Sequence, residues 1–338
     1  MDHVAIDLGG RESQICVRRP DGTIVEQRRL RTAAVGAFLQ DRAPARVIVE
    51  TCSEAFWVAD LARASGHDVR VVPATLSPAL GVGARRLKTD QRDAQILSEV
   101  SCRVDLPSVH IPSAPARAAK TVCGLRDGLV RSRTLLINSV RGWLRTQGRR
   151  VPSGTVATFG TRVRALLGDG LPGYVARQLA ALEDLHGHVT AADAEVRALA
   201  QADPVAHRLM TVPGVGPVTA VRFLAALDDP TRFASAPAVT AYLGLVAGQR
   251  SSGDRTRHLG ITKAGSPAVR WCLVQAAHCA RRTLRPSPLR TWVEAVEHRR
   301  GRQVATVALA RKLAGILFAL WRDGSRYDPF RTNTPAHD

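Results

Sequence analysis

The sequence predicts an α/β domain, a long helical arm and a mainly helical C-terminal domain, in that order along its 338 residues. Short apolar segments alternate with helical segments through residues 1–108. Leucine and valine then recur at helical spacing through residues 109–202, and glycine-rich turns separate apolar helices in residues 203–330. Because such changes of periodicity mark boundaries between structural units, we predict three domains with these bounds.

The first domain is predicted to open with three strands, of which the second and third are joined by a hairpin turn at Asp21-Gly22. Apolar runs and helical spacing then predict alternating helices and strands. The predicted elements are strands Val4–Asp7, Ser13–Arg18, Thr23–Leu30, Arg46–Thr51 and Asp68–Pro73, and helices Ala33–Asp41, Ala55–Ser65 and Asp90–Cys102. A hairpin-led sheet followed by alternating units is typical of the ribonuclease-H-like fold.

The middle region is predicted to contain two long amphipathic helices joined by the stretch Gly148–Pro172. Their apolar positions are Val122, Leu125, Leu129, Leu136, Val140 and Leu144 in the first, and Leu179, Leu182, Leu185, Val189, Val196 and Leu199 in the second. We expect a helical hairpin or a coiled-coil dimerisation arm decorated with arginines. A simple intramolecular bundle is the alternative.

The third region begins with the turn sequence VPGVGP at Val212–Pro217, which runs into an apolar helix. The stretch Gly244–Gly265 is rich in glycine, serine and arginine and predicts a loop or a short hairpin. Two helices are expected after it, near Pro267–Arg282 and Gln303–Trp321, and the last eight residues are expected to be frayed.

The charge of the chain indicates a polyanionic partner. Lysine and arginine number 48 against 29 acidic residues, which gives a formal net charge of +19. Neutralising phosphates with such side chains releases counterions and favours nucleic-acid binding. We find no apolar run long enough to cross a bilayer, no signal peptide in MDHVAIDLGG, and no CxxC pair among the six cysteines. These features predict an intracellular protein that has reduced thiols and does not associate with membranes.

Four acidic residues stand at informative positions. Asp7 and Glu50 end the first and fourth predicted strands, and Asp90 and Asp93 begin a predicted helix three residues apart. Neighbouring strands would place the first two side by side, and the helical spacing places the other two on one face. Such carboxylates repel one another unless cations separate them. We therefore predict a site for Mg²⁺, with two ions that hold a scissile phosphate.

Two other interpretations are compatible with these acids. Asp90 could instead cap the helix, with Asp93 meeting the helix dipole in its first turn. The opening IDLGG is also compatible with the phosphate loop of actin-like sugar kinases and ATPases. That class needs a second phosphate loop and a glycine-rich adenosine segment, for which the sequence offers no convincing counterpart.

Several motifs together resemble the DEDD insertion-sequence transposases, the family related to the Piv DNA invertase that includes bridge-RNA-guided recombinases. The N-terminal motifs are VAIDLGG, VIVETCSEAFW and KTDQRDA, and the C-terminal motifs are TVPGVGPVTA, AYLGLVAGQRSSG, LGITKAGSPAVR and VALARKLAGILFALWRDG. KTDQRDA together with the SSG and GITKAG block is highly specific, whereas VPGVGPVTA alone is not. The stretch Gly244-Leu245-Val246 departs from the family, whose members usually carry proline after GL.

The resemblance implies a RuvC-like first domain in which Asp7, Glu50, Asp90 and Asp93 form the metal-binding tetrad. It implies that Ser252, or less favourably Ser251, is a nucleophile that becomes joined to a 5′ phosphate of DNA. It further implies donor and target DNA as substrates, a non-coding guide RNA, a homo-oligomer (dimer or tetramer), and a prokaryotic cytoplasmic protein associated with the nucleoid.

Nucleic-acid contacts are predicted around the serine and at the VPGVGP turn. Arginine and lysine side chains near Ser252 are suited to binding phosphate and stabilising developing charge: Arg250, Arg255, Arg257, Lys263 and Arg270. Gly214 and Gly216 would let backbone N–H groups approach a phosphate. The alternatives are a simple turn at SSGDR and a tight helix connection at VPGVGP.

The sequence therefore predicts a transposase that cleaves and rejoins DNA. The alternative is a metal-dependent RuvC-like nuclease that resolves branched DNA without covalent attachment. A nucleic-acid-binding protein without catalytic activity is a third reading, and the presence of all four acids argues against it.

Overall fold

The protein is described by a computed structural model that covers residues 1–76, 79–80, 89–252 and 255–330. The chain divides into two compact units, Met1–Pro112 and Ser113–Asp338. The C-terminal eight residues, for which fraying is predicted, lie outside the described part.

The first unit is built on a five-stranded mixed sheet. Its strands are β1 (His3–Asp7), β2 (Glu12–Arg18), β3 (Ile24–Arg31), β4 (Arg46–Glu50) and β5 (Asp68–Val72), in the spatial order β3-β2-β1-β4-β5. The first three pair antiparallel, whereas β4 runs parallel to both β1 and β5. The helices are α1 (Val35–Gln40), α2 (Ala55–Ala64) and α3 (Asp90–Arg103). The predicted element order is confirmed.

The hairpin between β2 and β3 forms as the sequence predicts. Gly22 has a φ of +93°, a conformation that favours glycine, and the amide of Thr23 donates to the Asp21 carboxylate at 2.8 Å. A β-bulge between Val17 and Arg18 adjusts the register beside this turn.

Each face of the sheet buries its own apolar core because side chains alternate along the strands. Val4, Ile6, Val47 and Val49 pack with α1 and α2 residues on one face. Ala5, Ile48 and Val72 pack with Leu97 of α3 on the other. The helix α3 therefore covers one face of the sheet.

The second unit consists mainly of helices and contains one β-hairpin. Its elements are α4 (Ala114–Thr146), α5 (Phe159–Leu167), α6 (Gly173–Ala202), α7 (Pro204–Leu209), α8 (Pro217–Leu227), α9 (Ala236–Tyr242), β6 (Ala247–Ser252), β7 (Arg255–Ile261), α10 (Pro267–Thr283), α11 (Pro288–Arg300) and α12 (Arg302–Asp323). The two long helices and the hairpin lie where the sequence predicts them.

The long helices α4 and α6 pack against each other and have two separate cores. Near their outer ends, Val140, Leu144, Phe159, Val163 and Leu179 belong to one cluster. At their other ends, Cys123, Val196 and Ala200 join the core of the C-terminal helices. A helical hairpin is therefore present within one chain, and the domain boundary at residue 202 stays a prediction.

A buried charge network fixes this junction. Arg222 of α8 is only 5% exposed, and its guanidinium contacts the Asp127 carboxylate and the Cys123 carbonyl, both at 2.6 Å. Arg126 meets Asp193 of α6 at 2.7 Å. Removing one partner of such a buried pair typically costs about 3–5 kcal/mol, because the other charge is left uncompensated. The network therefore ties α4 to both α6 and α8.

Three sequence expectations need correction. Leu125 of the predicted apolar stripe is 69% exposed, because the α4 positions that face the cores are Cys123, Ile137, Val140 and Leu144. Within residues 255–330, three helices follow the hairpin, not two. The additional helix is α11, which begins at the Ser287 cap and ends at Gly301 with a φ of +80°.

The third correction concerns membrane-spanning length. The helix α12 is long and apolar enough to cross a membrane, with a mean hydropathy of 1.6 in its most apolar window. Half of that window is buried, and Leu309, Leu313, Leu317 and Phe318 lie in the core of the second unit. Packing inside the protein therefore accounts for the apolar composition of α12.

The six cysteines are all free thiols, as the lack of CxxC spacing predicts. Cys16, Cys123 and Cys272 are buried, whereas Cys52 is exposed. Burial raises the pKa of the Cys272 thiol to about 11, against the opposing charge of Arg222.

Candidate active site and nucleic-acid interface

Asp7 and Glu50 end neighbouring parallel strands at the same edge of the sheet. The last registered pair of β1 and β4 is Ile6 with Val49, so the next residues, Asp7 and Glu50, lie side by side. Asp7 is two residues after Ala5, and Glu50 two residues after Ile48, so both alternate onto the face that α3 covers. The strand-end placement predicted for these two acids is confirmed.

The direction of α3 places Asp93 at the same end of the unit as Asp7 and Glu50. His3, at the start of β1, shares a buried 2.7 Å hydrogen bond with Ser101, near the end of α3. Asp93 lies eight residues before Ser101, about 12 Å along a helix, and Asp7 lies four residues after His3, about 13 Å along a strand. The two carboxyl-bearing ends therefore run to the same side of the unit.

The helix start is capped by Thr89, not by Asp90. The Thr89 hydroxyl accepts from the amide of Arg92 at 3.3 Å, and Asp90 is the exposed first residue of α3. Asp93, one turn later, is only 3% exposed. A charged carboxylate at such depth is stabilised by a paired charge, hydrogen bonds or a metal ion. The capping interpretation of Asp90 is therefore wrong, whereas Asp93 does lie in the first turn of α3, where the helix-dipole interpretation places it, and is buried there.

The four carboxylates fit a hard divalent cation in chemical kind, since Mg²⁺ prefers oxygen ligands. Within the described residues, however, no three side chains of Asp, Glu, His or Cys come together closely enough to hold a metal ion. The fold thus collects the acids at one end of one face without closing them into a cage. Their assignment as the metal-binding tetrad stays a prediction.

Three glutamines that the sequence reasoning overlooked hold the start of α3 on the sheet. The side-chain oxygen of Gln27 on β3 accepts from the amide groups of Gln91 at 2.8 Å and Gln95 at 3.0 Å. Gln91 and Gln95 lie one turn apart and flank Asp93 in sequence. Gln91 and Gln95 have the i, i+4 spacing that places two side chains on one face of a helix. That spacing, together with a glutamine on a strand of the sheet, was the signal that could have identified all three residues.

We expect Gln27→Ala to lower the cleavage rate about tenfold while leaving substrate affinity unchanged. Losing both amide contacts would release the helix start that carries Asp90 and Asp93, and a small misplacement of reacting groups is costly. Steady-state kinetics would separate kcat from KM. Gln27→Glu, which retains both acceptor positions, should recover most of the rate. An unchanged kcat in Gln27→Ala would remove this positioning role.

The serine block forms a hairpin whose base is tightly fixed. Gly244 and Gly265 have φ values of +68° and +66°. A Cβ on Gly244 would lie 2.2 Å from the Ala264 oxygen, and one on Gly265 would lie 2.1 Å from the Tyr242 oxygen. Lys263 adopts a φ of +58°, which is unusual for a residue with a side chain. Strain of this kind often accompanies functional loops.

Ser252 is the last residue of β6, and it pairs with Arg255 across the hairpin. The side chains of Ser251, Ser252 and Arg255, and the whole of residues 253 and 254, lie outside the described part of the structure. Arg250 and Arg257 are cross-strand partners, and both are exposed. Like charges directly opposite each other are unfavourable without an anion between them, so this pair is suited to phosphate.

Two predicted nucleic-acid contacts have structural roles. One terminal nitrogen of Arg270 donates to the carbonyls of Leu243 at 3.2 Å, Gly265 at 3.1 Å and also Ala264, so it fixes the hairpin base. A Cβ on Gly214 would lie 2.2 Å from the Ala276 oxygen of α10. Close packing therefore requires glycine there. Gly216 has open space beside it, and a phosphate contact at either residue stays a prediction.

Comparison with known proteins decides the family. A profile described as a transposase matches residues 4–147, and one described as the IS116/IS110/IS902 transposase family matches residues 206–291. A probable family 20 transposase of Pseudomonas aeruginosa is 31% identical over 344 residues, which cover 97% of this chain and 99% of that protein. The chain belongs to the IS110 family of DEDD transposases.

Other relatives of this transposase align over most of both chains. The transposase of insertion sequence element IS1111A of Coxiella burnetii is 28% identical, with 94% of this chain and 88% of the relative covered. That of IS1328 of Yersinia enterocolitica is 28% identical, with 95% and 97% covered. The transposase is a DNA-acting enzyme, and its family implies the use of a divalent metal ion.

Proposed function

We propose that this transposase cuts and rejoins DNA through a covalent bond between Ser252 and a 5′ phosphate. The observation that carries the proposal is the pairing of two features: carboxylates collected at one sheet edge, and a serine at the end of a hairpin with a rigid base. Water-using nucleases need only the first. The alternative, a nuclease acting on branched DNA, leaves the fixed hairpin unexplained.

The chemistry is a direct exchange of phosphate esters. The Ser252 oxygen attacks the scissile phosphorus, an O–P bond forms, and the bond from phosphorus to the 3′ oxygen breaks. The serine proton is lost and the departing 3′ oxygen gains one, so a free 3′ hydroxyl leaves. A second 3′ hydroxyl reverses the step and releases the serine, which conserves the phosphodiester for rejoining.

The residues divide the work between them. Asp7, Glu50, Asp90 and Asp93 would hold Mg²⁺, which would supply the charge neutralisation that phosphoryl transfer requires. Arg250 and Arg257, which are exposed and opposite each other, would bind the non-bridging phosphate oxygens. Lys263 is exposed at the hairpin base and would extend this positive surface.

Self-association through the arm is part of the proposal. One side of α4 carries residues at spacings of three and four, of which Gly128 is half-buried and the others are exposed: Thr121, Leu125, Gly128, Ser132, Leu135, Ser139 and Gly142. Leu125 and Leu135 are 69% and 70% exposed. Spacing of this kind is typical of a helix that packs against another helix.

We expect the double variant Leu125→Glu, Leu135→Glu to be monomeric in multi-angle light scattering. A wild-type protein that is already monomeric would contradict self-association through α4.

Choice of DNA sequence is proposed to come from a guide RNA. A net charge of +19 supports a large polyanionic partner, and the family resemblance supports RNA. The test compares cleavage of the element's own target by protein purified with its RNA and by the same protein after ribonuclease treatment. We expect selective cleavage to disappear and to return when the RNA is added back. Selective cleavage by RNA-free protein would exclude a guide.

A further inference from the structure

The outer part of the helical arm, residues 131–182, carries a large excess of positive charge. It contains nine arginines, no lysine and one acidic residue, Asp169. We call these residues the arm tip. Within the described residues, the one ion pair that these arginines form with an acidic side chain joins Arg164 to Glu183.

Six of the nine arginines are exposed on the surface of the arm tip: Arg131, Arg141, Arg145, Arg149, Arg150 and Arg177. The arm tip has its own apolar core around Val140, Leu144 and Phe159, so these side chains are displayed on a rigid support. Arginines at this density repel one another unless a polyanion lies across them. Arg141 and Arg145 lie in the last turns of α4, and Arg149 and Arg150 lie in the turn that follows it.

The arm tip also carries an aromatic pair of which one ring, that of Tyr174, is exposed. Tyr174, at the start of α6, is 54% exposed. Its ring meets the ring of Trp143 edge to face, with centroids 5.9 Å apart and an interplanar angle of 87°. Trp143 packs partly into the arm-tip core, so it holds Tyr174 in place. Arg177 lies three residues after Tyr174 on the same helix, within reach of the same ligand.

Arginine and an exposed aromatic ring together discriminate between nucleic acids. Phosphate contacts bind duplex and single strand alike, whereas an aromatic ring contributes only where a base offers an open face. Proteins recognise RNA mainly through such unpaired bases. We infer that the arm tip binds an unpaired segment of RNA, with arginines on the phosphates and Tyr174 stacked on a base. This inference rests on the proposed RNA partner and assigns it a place on the chain.

The test measures fluorescence anisotropy of full-length, RNA-free protein with a short, unstructured, labelled uridine RNA. The first variant changes Arg141, Arg145, Arg149 and Arg150 to glutamine. A matched control changes four exposed arginines in and between α10 and α11: Arg282, Arg285, Arg299 and Arg300. We expect the arm-tip variant to bind at least tenfold more weakly and the control to stay within twofold of wild type.

Salt dependence identifies the lost phosphate contacts. Each neutralised phosphate on a single strand contributes about 0.7 to the slope of log affinity against log salt, so the arm-tip variant should lose a slope of about 3. All four positions are exposed, and circular dichroism melting should show an unchanged fold. An equal loss of affinity in the control variant would mean that net charge, not the arm tip, binds RNA.

The aromatic contact has its own variants. We expect Tyr174→Ala to weaken RNA binding roughly tenfold, because stacking of one base on an aromatic ring is worth about that much. Tyr174→Phe keeps the ring and should bind as wild type. A single strand of DNA and a DNA duplex are the competing ligands. The inference would be overturned if Tyr174→Ala weakened binding to the DNA duplex as much as binding to RNA. It would also be overturned if no arm-tip variant changed the affinity for RNA. The proposed guide RNA is tested separately, by whether ribonuclease treatment removes the selectivity for the target.

Discussion

Replacing Asp7, Glu50 or Asp93 with alanine is expected to abolish metal-dependent cleavage while the fold survives. Their carboxylates collect at one edge of the sheet and at the start of the helix that covers it. Metal-assisted phosphoryl transfer is worth several kcal/mol, and each 1.4 kcal/mol is about tenfold, so we expect a loss of at least about a thousandfold. Single-turnover cleavage at saturating Mg²⁺ measures it.

The control for these variants lies on the same helix. Glu99 of α3 is partly exposed and pairs with Arg103 at i, i+4. Glu99→Gln removes a carboxylate without touching the sheet edge, and such exposed pairs contribute only about 0.3–0.5 kcal/mol to stability. We expect wild-type cleavage from it. Manganese binding by paramagnetic resonance should fall in the three alanine variants and persist in Glu99→Gln. Wild-type cleavage by any alanine variant would remove that residue from the site.

Changing Ser252 to alanine is the second substitution with a large expected effect. The variant should bind DNA as the wild type does, because the hairpin base is fixed by Gly244, Gly265 and Arg270, none of which is altered. It should neither cut DNA nor become attached to it, since the attacking oxygen is gone. Loss of a catalytic nucleophile typically costs about a millionfold in rate. Ser251→Ala is the neighbouring control and should retain both activities.

The N-terminal domain was predictable from sequence because local signals and the global fold agree there. Apolar strands bounded by turns gave every strand of the sheet, and the acids Asp7 and Glu50 stand where those strands end. A strand end is a local property, and two parallel neighbours necessarily bring their ends together. The direction of α3, and so the level of Asp93, depended on the long-range contact between His3 and Ser101.

The remaining features depend on tertiary contacts that periodicity does not reveal. Leu125 fits the helical stripe as well as Val140 does, yet only Val140 faces a core. The VPGVGP turn predicts that Gly214 lets a phosphate approach, whereas the backbone of α10 occupies the space beside it. Arg222 is a single charge in an otherwise apolar helix, and a lone charge of this kind indicates a buried ion pair.

The central claim is a covalent bond between Ser252 and DNA, and trapping it is the most direct test. A target strand labelled on the 3′ side of the cut is nicked beside that site, so that the released fragment diffuses away and rejoining is prevented. Denaturing electrophoresis then separates labelled protein from labelled DNA. We expect a labelled protein band with the wild type and with Ser251→Ala, and none with Ser252→Ala. Efficient cutting by a protein in which both serines are alanine, with no labelled protein at any time, would contradict the covalent mechanism and favour a nuclease that uses water.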